Sequence, residues 1–284
     1  MSSKKKKRLI KTIIFIILIL SSLVLISRYI ETKGLVVNEI PIKDKLIPKN
    51  FHGIKIVQIS DIHYMQTTDI DDIKKIVDEI NTLKPDIVLF TGDILDKDIK
   101  YKEKDLNNLT EELKNIEVNI EKYYVKGDHD LNFDNIDMIY SNSDFKSLND
   151  TYKLIYYNDS DPILLVGISS NYKKNHIKED IKNILSSIDK KYKYSILLLH
   201  EPDFIDEIDY KKFNLILAGH SLNGQINIPF IKNLFLQDYS KKYYKNYYLL
   251  DKTKLYISSG IGTTKIKFRF LNKPSINFFR LQSK

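Results

Sequence analysis

Residues 54–63 read IKIVQISDIH, an apolar run from Ile54 to Ser60 that closes on Asp61 and His63. The run is short, lacks the alternation of a half-exposed strand and reads as a buried strand. The pattern recurs twice. Residues 86–91 (DIVLFT) end in Gly92-Asp93-Ile94-Leu95-Asp96, and a strand at 123–126 ends in Gly127-Asp128-His129-Asp130. Ile70, Ile73, Val77 and Ile80 recur at helical spacing between the first two, with Pro85 as the stop; Leu106, Leu109 and Leu113 do so between the second and third. This βαβαβ rhythm predicts parallel pairing and an α/β fold.

Further strands are expected at 153–157, 163–168, 195–199 and 214–218, a helix at 176–188, and three C-terminal strands at 247–250, 254–258 and 276–281. Two of these also end in chemistry: His200-Glu201-Pro202 and Gly219-His220. The carboxyl ends of parallel strands are where open α/β sheets hold ligands. Four of the six histidines lie at such ends; only His52 and His176 do not. A single Gly-Asp pair is ordinary turn chemistry. Five strand ends in order, each offering imidazole or carboxylate, point to metal binding. Hard oxygens mixed with imidazole nitrogens suit Mn²⁺, Fe²⁺/Fe³⁺ or Zn²⁺, and a pair of ions needs a bridging carboxylate with several terminal ligands.

The chain has 284 residues, no cysteine, 45 Lys and Arg, and 37 Asp and Glu. Cysteine-free chemistry excludes a disulfide framework, a thiolate zinc site and a cysteine nucleophile. Six of the basic residues fall in residues 1–11, which hold no acid, so the rest carries 39 against 37. A body so close to neutral is a poor candidate for specific nucleic-acid binding; the sequence is silent on protein partners. After the basic tip, residues 12–27 run without a charge between Lys11 and Arg28. As a helix these 16 residues rise roughly 24 Å, and flanking Lys and Arg can extend that toward a bilayer core of about 30 Å. No small-residue cleavage site follows, so an uncleaved signal anchor is expected, with the basic tip cytoplasmic and the rest outside the plasma membrane. The expected organisation is a basic tip at 1–11, a transmembrane helix at 12–30, a connecting segment at 31–50 and one domain at 51–284.

The order Asp61-x-His63, Gly92-Asp93-x-x-Asp96, Gly127-Asp128-His129-Asp130, His200, Gly219-His220 resembles the signature of the calcineurin-like metallophosphoesterases. Residues 219–225 (GHSLNGQ), 260–264 (GIGTT) and Arg269-Phe270 are similar to the membrane-associated bacterial branch, which includes UDP-2,3-diacylglucosamine hydrolases. The resemblance implies a four-layer αββα sandwich of two mixed sheets behind the transmembrane helix. It also implies two divalent ions: Asp61 and His63 on the first, Asp93 bridging, and Asp128, His200 and His220 on the second. His129 would stabilise the transition state or protonate the leaving oxygen, with Asp130 orienting it. Asp96 would support a ligand or simply cap a helix. The implied substrate is a phosphodiester or pyrophosphate bond in a lipid-linked or envelope precursor, acted on at the bilayer.

Two positions depart from the family pattern. Asp128 stands where the family has asparagine, which adds a negative charge to the ligand set, tightens ion binding and weakens the ions as Lewis acids. Leu222 stands where the family has a second histidine, and leucine ligates nothing, so the first ion should be held less firmly. A hydrolase and an attenuated phosphate- or protein-binding module are both compatible with these changes. His129, which serves only the reaction, favours the hydrolase.

Overall fold

The computed structural model describes residues 3–158, 161–170, 176–229 and 236–284. The first two residues of the basic tip lie outside them. Strands β1 (Val36–Asp44), β2 (Lys55–Ile59), β3 (Ile87–Phe90), β4 (Glu121–Tyr124), β5 (Phe145–Ser147) and β12 (Ser275–Ser283) form one six-stranded sheet in the order β1-β12-β2-β3-β4-β5. Strands β6 (Thr151–Ile155), β7 (Ile163–Gly167), β8 (Tyr194–Leu198), β9 (Leu215–Ala218), β10 (Tyr247–Leu250) and β11 (Thr253–Ile257) form the second, in the order β10-β11-β9-β8-β7-β6. Both sheets are mixed. β2, β3 and β4 run parallel, as the βαβαβ rhythm predicts, and β7, β8 and β9 do likewise.

Apolar residues on both faces of each sheet explain the layering. Ile56, Leu89 and Val125 meet Leu165, Ile196 and Leu217 in the core between the sheets. The outer face of the first sheet buries Val57, Val88 and Phe90 against α2 (Ile70–Leu83), α3 (Glu103–Lys114) and α4 (Ile136–Asn142). The outer face of the second buries Leu164, Leu197 and Ile216 against α5 (Ile177–Ser186). The result is the expected αββα sandwich. The Ile73, Val77 and Ile80 stripe faces the core, and an Asp69–Asp72 capping box starts α2.

One expectation is corrected. Residues 31–50 are not merely a connecting segment: β1 lies within them and pairs in parallel with β12 over nine residues, from Val36–Ser275 to Asp44–Ser283. Its partner is more than 200 residues away, so no local pattern betrays it, and Pro41, which cannot donate, is tolerated because β1 is an edge strand. Helix α1 (Ser3–Leu25) continues through a π-helical turn, Ile26–Ile30, so it begins inside the basic tip. Lys4–Ile30 is long and apolar enough to cross a membrane, and its apolar side chains are exposed along its length.

Candidate metal centre

The predicted residues arrive from five strand ends. Asp61 and His63 follow β2, Asp93 and Asp96 follow β3, Asp128, His129 and Asp130 follow β4, His200 follows β8 and His220 follows β9. All are buried. Asp61, His63, Asp93 and His220 have φ of 51°, 42°, 62° and 64°. Left-handed backbone costs such residues about 1–3 kcal/mol each and persists only where surrounding contacts overdetermine it. Those contacts are present. Asp61 Oδ1 and Oδ2 each accept from the His220 N–H at 3.1 Å, and Asp93 Oδ1 accepts from the His129 N–H at 2.9 Å. Gly92, at φ 95°, lets the chains converge: a Cβ there would stand 2.5 Å from the Gly127 nitrogen and 2.7 Å from His200 Nδ1.

Three of the imidazoles are tethered from outside. His200 Nδ1 lies 2.5 Å from the Thr91 carbonyl and His220 Nε2 lies 2.7 Å from the Asp238 carbonyl, so each of these nitrogens carries the proton and donates. His63 Nδ1 is 3.2 Å from Asp96 Oδ2. The other ring nitrogens, His200 Nε2, His220 Nδ1 and His63 Nε2, face inward, where each would offer a lone pair once a cation replaces its proton. These three atoms, with Asp93 Oδ2 and Asp128 Oδ1, are buried without a hydrogen-bond partner. His200 Nε2 is 3.1 Å from Asp93 Oδ2, and His220 Nδ1 is 3.0 Å from Asp128 Oδ1. Most buried polar atoms in folded proteins are satisfied, so these five orphans, all belonging to His/Asp groups at the strand ends, fit cations. The donors form overlapping groups, Asp61–His63–Asp93 and Asp93–Asp128–His200–His220, each close enough to hold a metal ion, with Asp93 common to both.

The electrostatics carry the same message. Burial pushes the Asp93 carboxyl up, to about 7, with His200 opposing and Asp128 assisting. Burial also pushes Asp128 up, but His200 and His220 outweigh it and hold the carboxyl far below the usual range. Burial pulls His200 down, and the carboxylates of Asp93 and Asp128 overcome it and raise the imidazole well above its ordinary value. Buried carboxylates at this density need cationic partners.

His129 behaves differently. Burial and neighbouring His63 depress it to about 3, so its ring is neutral. Its Nδ1 accepts from the Lys97 N–H at 3.2 Å, which leaves the proton on Nε2, 3.5 Å from Thr264 Oγ1. The expected orienting contact from Asp130 is absent. The Asp130 carboxylate accepts instead from the N–H groups of Asp93, Ile94 and Gly127 and from the Tyr140 hydroxyl, at 2.9–3.0 Å. Four strong donors from converging loops claim the oxygens before the ring can. Asp96 faces the imidazoles: its Oδ2 is 3.6 Å from His129 Nδ1 as well as close to His63. Asp96 caps no helix, since α3 starts only at Glu103, although its Oδ1 closes a turn by accepting from the Asp98 N–H.

Leu222 is buried at φ 50°. A Cβ on Gly260 would touch both its Cδ2 and, at 2.9 Å, Asp61 Cβ, so an apolar side chain stands beside the three-donor group. Sequence reasoning gave no role to Arg269 or Gln225. Arg269 is fully buried and donates to the carbonyls of Ser259, Gly262 and Asn272; burial lowers its pKa to about 9, with Asp61 opposing. Gln225 receives the Thr264 N–H and donates to the carbonyls of Ile266 and Phe268. The available signal was the Arg269-Phe270 pair and the closing Gln225 of GHSLNGQ, both part of the family resemblance.

Residues 54–224 match the family model described as calcineurin-like phosphoesterase. The chain belongs to the calcineurin-like phosphoesterases. It is 32% identical to the uncharacterized metallophosphoesterase YkuE of Bacillus subtilis, over 90% of this chain and 89% of that one. It is 28% identical to the uncharacterized metallophosphoesterase Cj0846 of Campylobacter jejuni, over 87% of this chain but only 64% of that longer protein. It is 25% identical to the UDP-2,3-diacylglucosamine pyrophosphatase LpxG of Chlamydia muridarum, over 84% and 87% of the two chains. Membership places the chain among metal-dependent hydrolases of phosphoric esters, and its aspartate–histidine clusters are able to bind metal ions.

Proposed function

We propose that this calcineurin-like phosphoesterase is anchored by α1 and hydrolyses a phosphodiester or pyrophosphate bond in a lipid-linked substrate, using two divalent ions. The observation that carries the reading is the set of five buried, partnerless donor atoms on His63, Asp93, Asp128, His200 and His220. Asp61, His63 and Asp93 hold the first ion, and Asp93, Asp128, His200 and His220 hold the second. Mn²⁺, Fe²⁺/Fe³⁺ or Zn²⁺ suits such donors. Bound there, the ions supply Lewis acidity to the phosphoryl oxygens and an activated water.

The chain's own groups do the rest. His129 keeps its proton on Nε2 and offers it to the departing oxygen, the role of a general acid. Asp96 fixes the His63 ring so that Nε2 points inward. Asp130 clamps the loops after β3 and β4 and so acts on geometry, not on the proton. The basic tip keeps the N-terminus cytoplasmic and the domain on the opposite side of the plasma membrane. The name of the Chlamydia relative and the anchor together favour a lipid-linked diphosphate.

The buried Leu222 favours one competing reading, an attenuated member that binds a phosphate-bearing ligand without turnover. Both are tested by incubating the full chain in detergent micelles with Mn²⁺ and UDP-2,3-diacylglucosamine. Hydrolysis of the pyrophosphate gives UMP and 2,3-diacylglucosamine 1-phosphate. Turnover of a soluble phosphodiester without these products would remove the lipid-diphosphate assignment and keep the hydrolase. Turnover of neither would remove the hydrolase assignment and favour the binding module.

A further inference from the structure

The path by which the chain enters its first sheet sets which side of the domain meets the membrane. β2 ends at Ile59, next to Asp61 and His63, and β12 runs antiparallel to it. β12 therefore starts at the edge that bears the metal centre, where the Ser275 N–H donates to the Gly260 carbonyl. β1 is parallel to β12 and pairs Val36 with Ser275, so it starts at the same edge. The helical segment ending at Ile30 feeds β1 through residues 31–35 alone. The exit is also pinned directly: the Arg269 N–H donates to the Ser27 carbonyl at 3.0 Å, and Ser27 and Thr32 are buried.

The segment that meets the helix is 264–273, TKIKFRFLNK. Arg269 turns inward, while Lys265, Lys267 and Lys273 are exposed and Ile266, Phe268 and Phe270 are half-buried. Leu271 is 59% exposed at φ 49°. Left-handed backbone costs a leucine about 1–2 kcal/mol, and the domain returns little burial for it. Cations interleaved with aromatic and aliphatic side chains at the end of an apolar helix are the composition of a membrane interface. The segment also reaches the chemistry, since Thr264 Oγ1 approaches His129 Nε2 and Gln225 and Arg269 lock its backbone to the strand-end loops. A cavity of about 220 Å³ lined by Leu222, Gln225, Leu236, Thr264, Lys265 and Ile266 lies alongside.

We propose that residues 264–273 form a membrane-interface loop. Phe268, Phe270 and Leu271 enter the headgroup–acyl boundary of the bilayer that holds α1, and Lys265, Lys267 and Lys273 meet lipid phosphates. The metal-centre cleft then opens onto the lipid surface, within reach of a phosphoester carried on a lipid. The loop's insertion rests on the anchor reading above, and its meaning for substrate choice rests on the hydrolase reading.

The chain lacks cysteine, so single spin labels can be placed in the full-length protein. Leu271→Cys, Phe268→Cys, Ile17→Cys within α1 and Met138→Cys on α4 would be labelled with a nitroxide and reconstituted in phosphatidylglycerol–phosphatidylethanolamine vesicles. Met138 is 58% exposed and lies on the helix beside β5, across the first sheet from β1. Collision with oxygen against a water-soluble nickel chelate reports depth. The label at 17 should lie deep and that at 138 in water, with the labels at 268 and 271 about 5–10 Å below the phosphates. Labels at 268 and 271 as aqueous as that at 138, with 17 deep, would overturn the proposal. An aqueous label at 17 would overturn it together with the anchor. No turnover enters the measurement, so a failed hydrolase assignment would show separately, in the assay of metal-dependent cleavage.

Discussion

Replacing Leu222 by histidine should tighten the weaker of two metal-binding steps. Leu222 already stands beside Asp61, which forms a three-donor group with His63 and Asp93. An imidazole there adds a fourth donor. Loss of a buried leucine costs about 1.5–3 kcal/mol. Part of that returns because histidine tolerates the left-handed backbone at φ 50° better than leucine does. On the metal side, even an outer partner of a ligand is worth about 10–100-fold in affinity, which is about 1.4–2.7 kcal/mol, and a direct ligand should supply at least that. The metal-free Leu222→His protein should therefore be less stable than the native chain, and Mn²⁺ should restore the difference. Calorimetric titration of the full chain in detergent micelles with Mn²⁺ should give two unequal steps. In the variant the weaker step tightens by about 10–100-fold and the stronger stays put. A folded variant with an unchanged weaker step would refute the reasoning, because position 222 would then not face the first ion.

Three further substitutions separate the roles assigned here. Asp96→Ala removes the acceptor that faces His63 Nδ1, so the same weaker step should loosen by about 10–100-fold, read by metal content after dialysis. Asp130→Ala strips the acceptor from three backbone N–H groups and the Tyr140 hydroxyl. At about 1–3 kcal/mol for each of the four stranded groups, the metal-free protein should lose on the order of 4 kcal/mol or more; a slower reaction with an unchanged melting temperature would restore Asp130 as a catalytic partner of His129. Asp128→Asn takes one negative charge from the ligand set and leaves the ions stronger Lewis acids. The acidic limb of the kcat/KM profile should move to lower pH, and an unmoved limb would count against the charge argument.

Most strands were legible because each is a short apolar run, several of them closed by Gly, Asp or His, and the observed bounds fall within one or two residues of those read from 54–60, 163–168 or 247–250. β1 was not, because an edge strand with Val36, Asn38, Glu39 and Pro41 carries no clean period and its partner lies at the other end of the chain. The donor set was legible as residue types at strand ends. What their second atoms touch was not: the sequence order His129-Asp130 hints at a pair, yet the fold turns Asp130 into a loop clamp and brings Asp96, 33 positions upstream, to the ring. The role of Arg269 likewise depends on carbonyls of Ser259, Gly262 and Asn272 that converge only in the folded chain.

If the strand-end cluster is a working metal centre, hydrolysis depends on the metal and on the shared Asp93. The most direct test is hydrolysis of bis-p-nitrophenyl phosphate by the full chain in detergent micelles, with and without Mn²⁺, beside an Asp93→Asn variant that removes the shared ligand's charge. Turnover should depend on Mn²⁺ and be lost in the variant. Turnover indifferent to Mn²⁺, or no turnover above the variant at any pH, would contradict a working metal centre there.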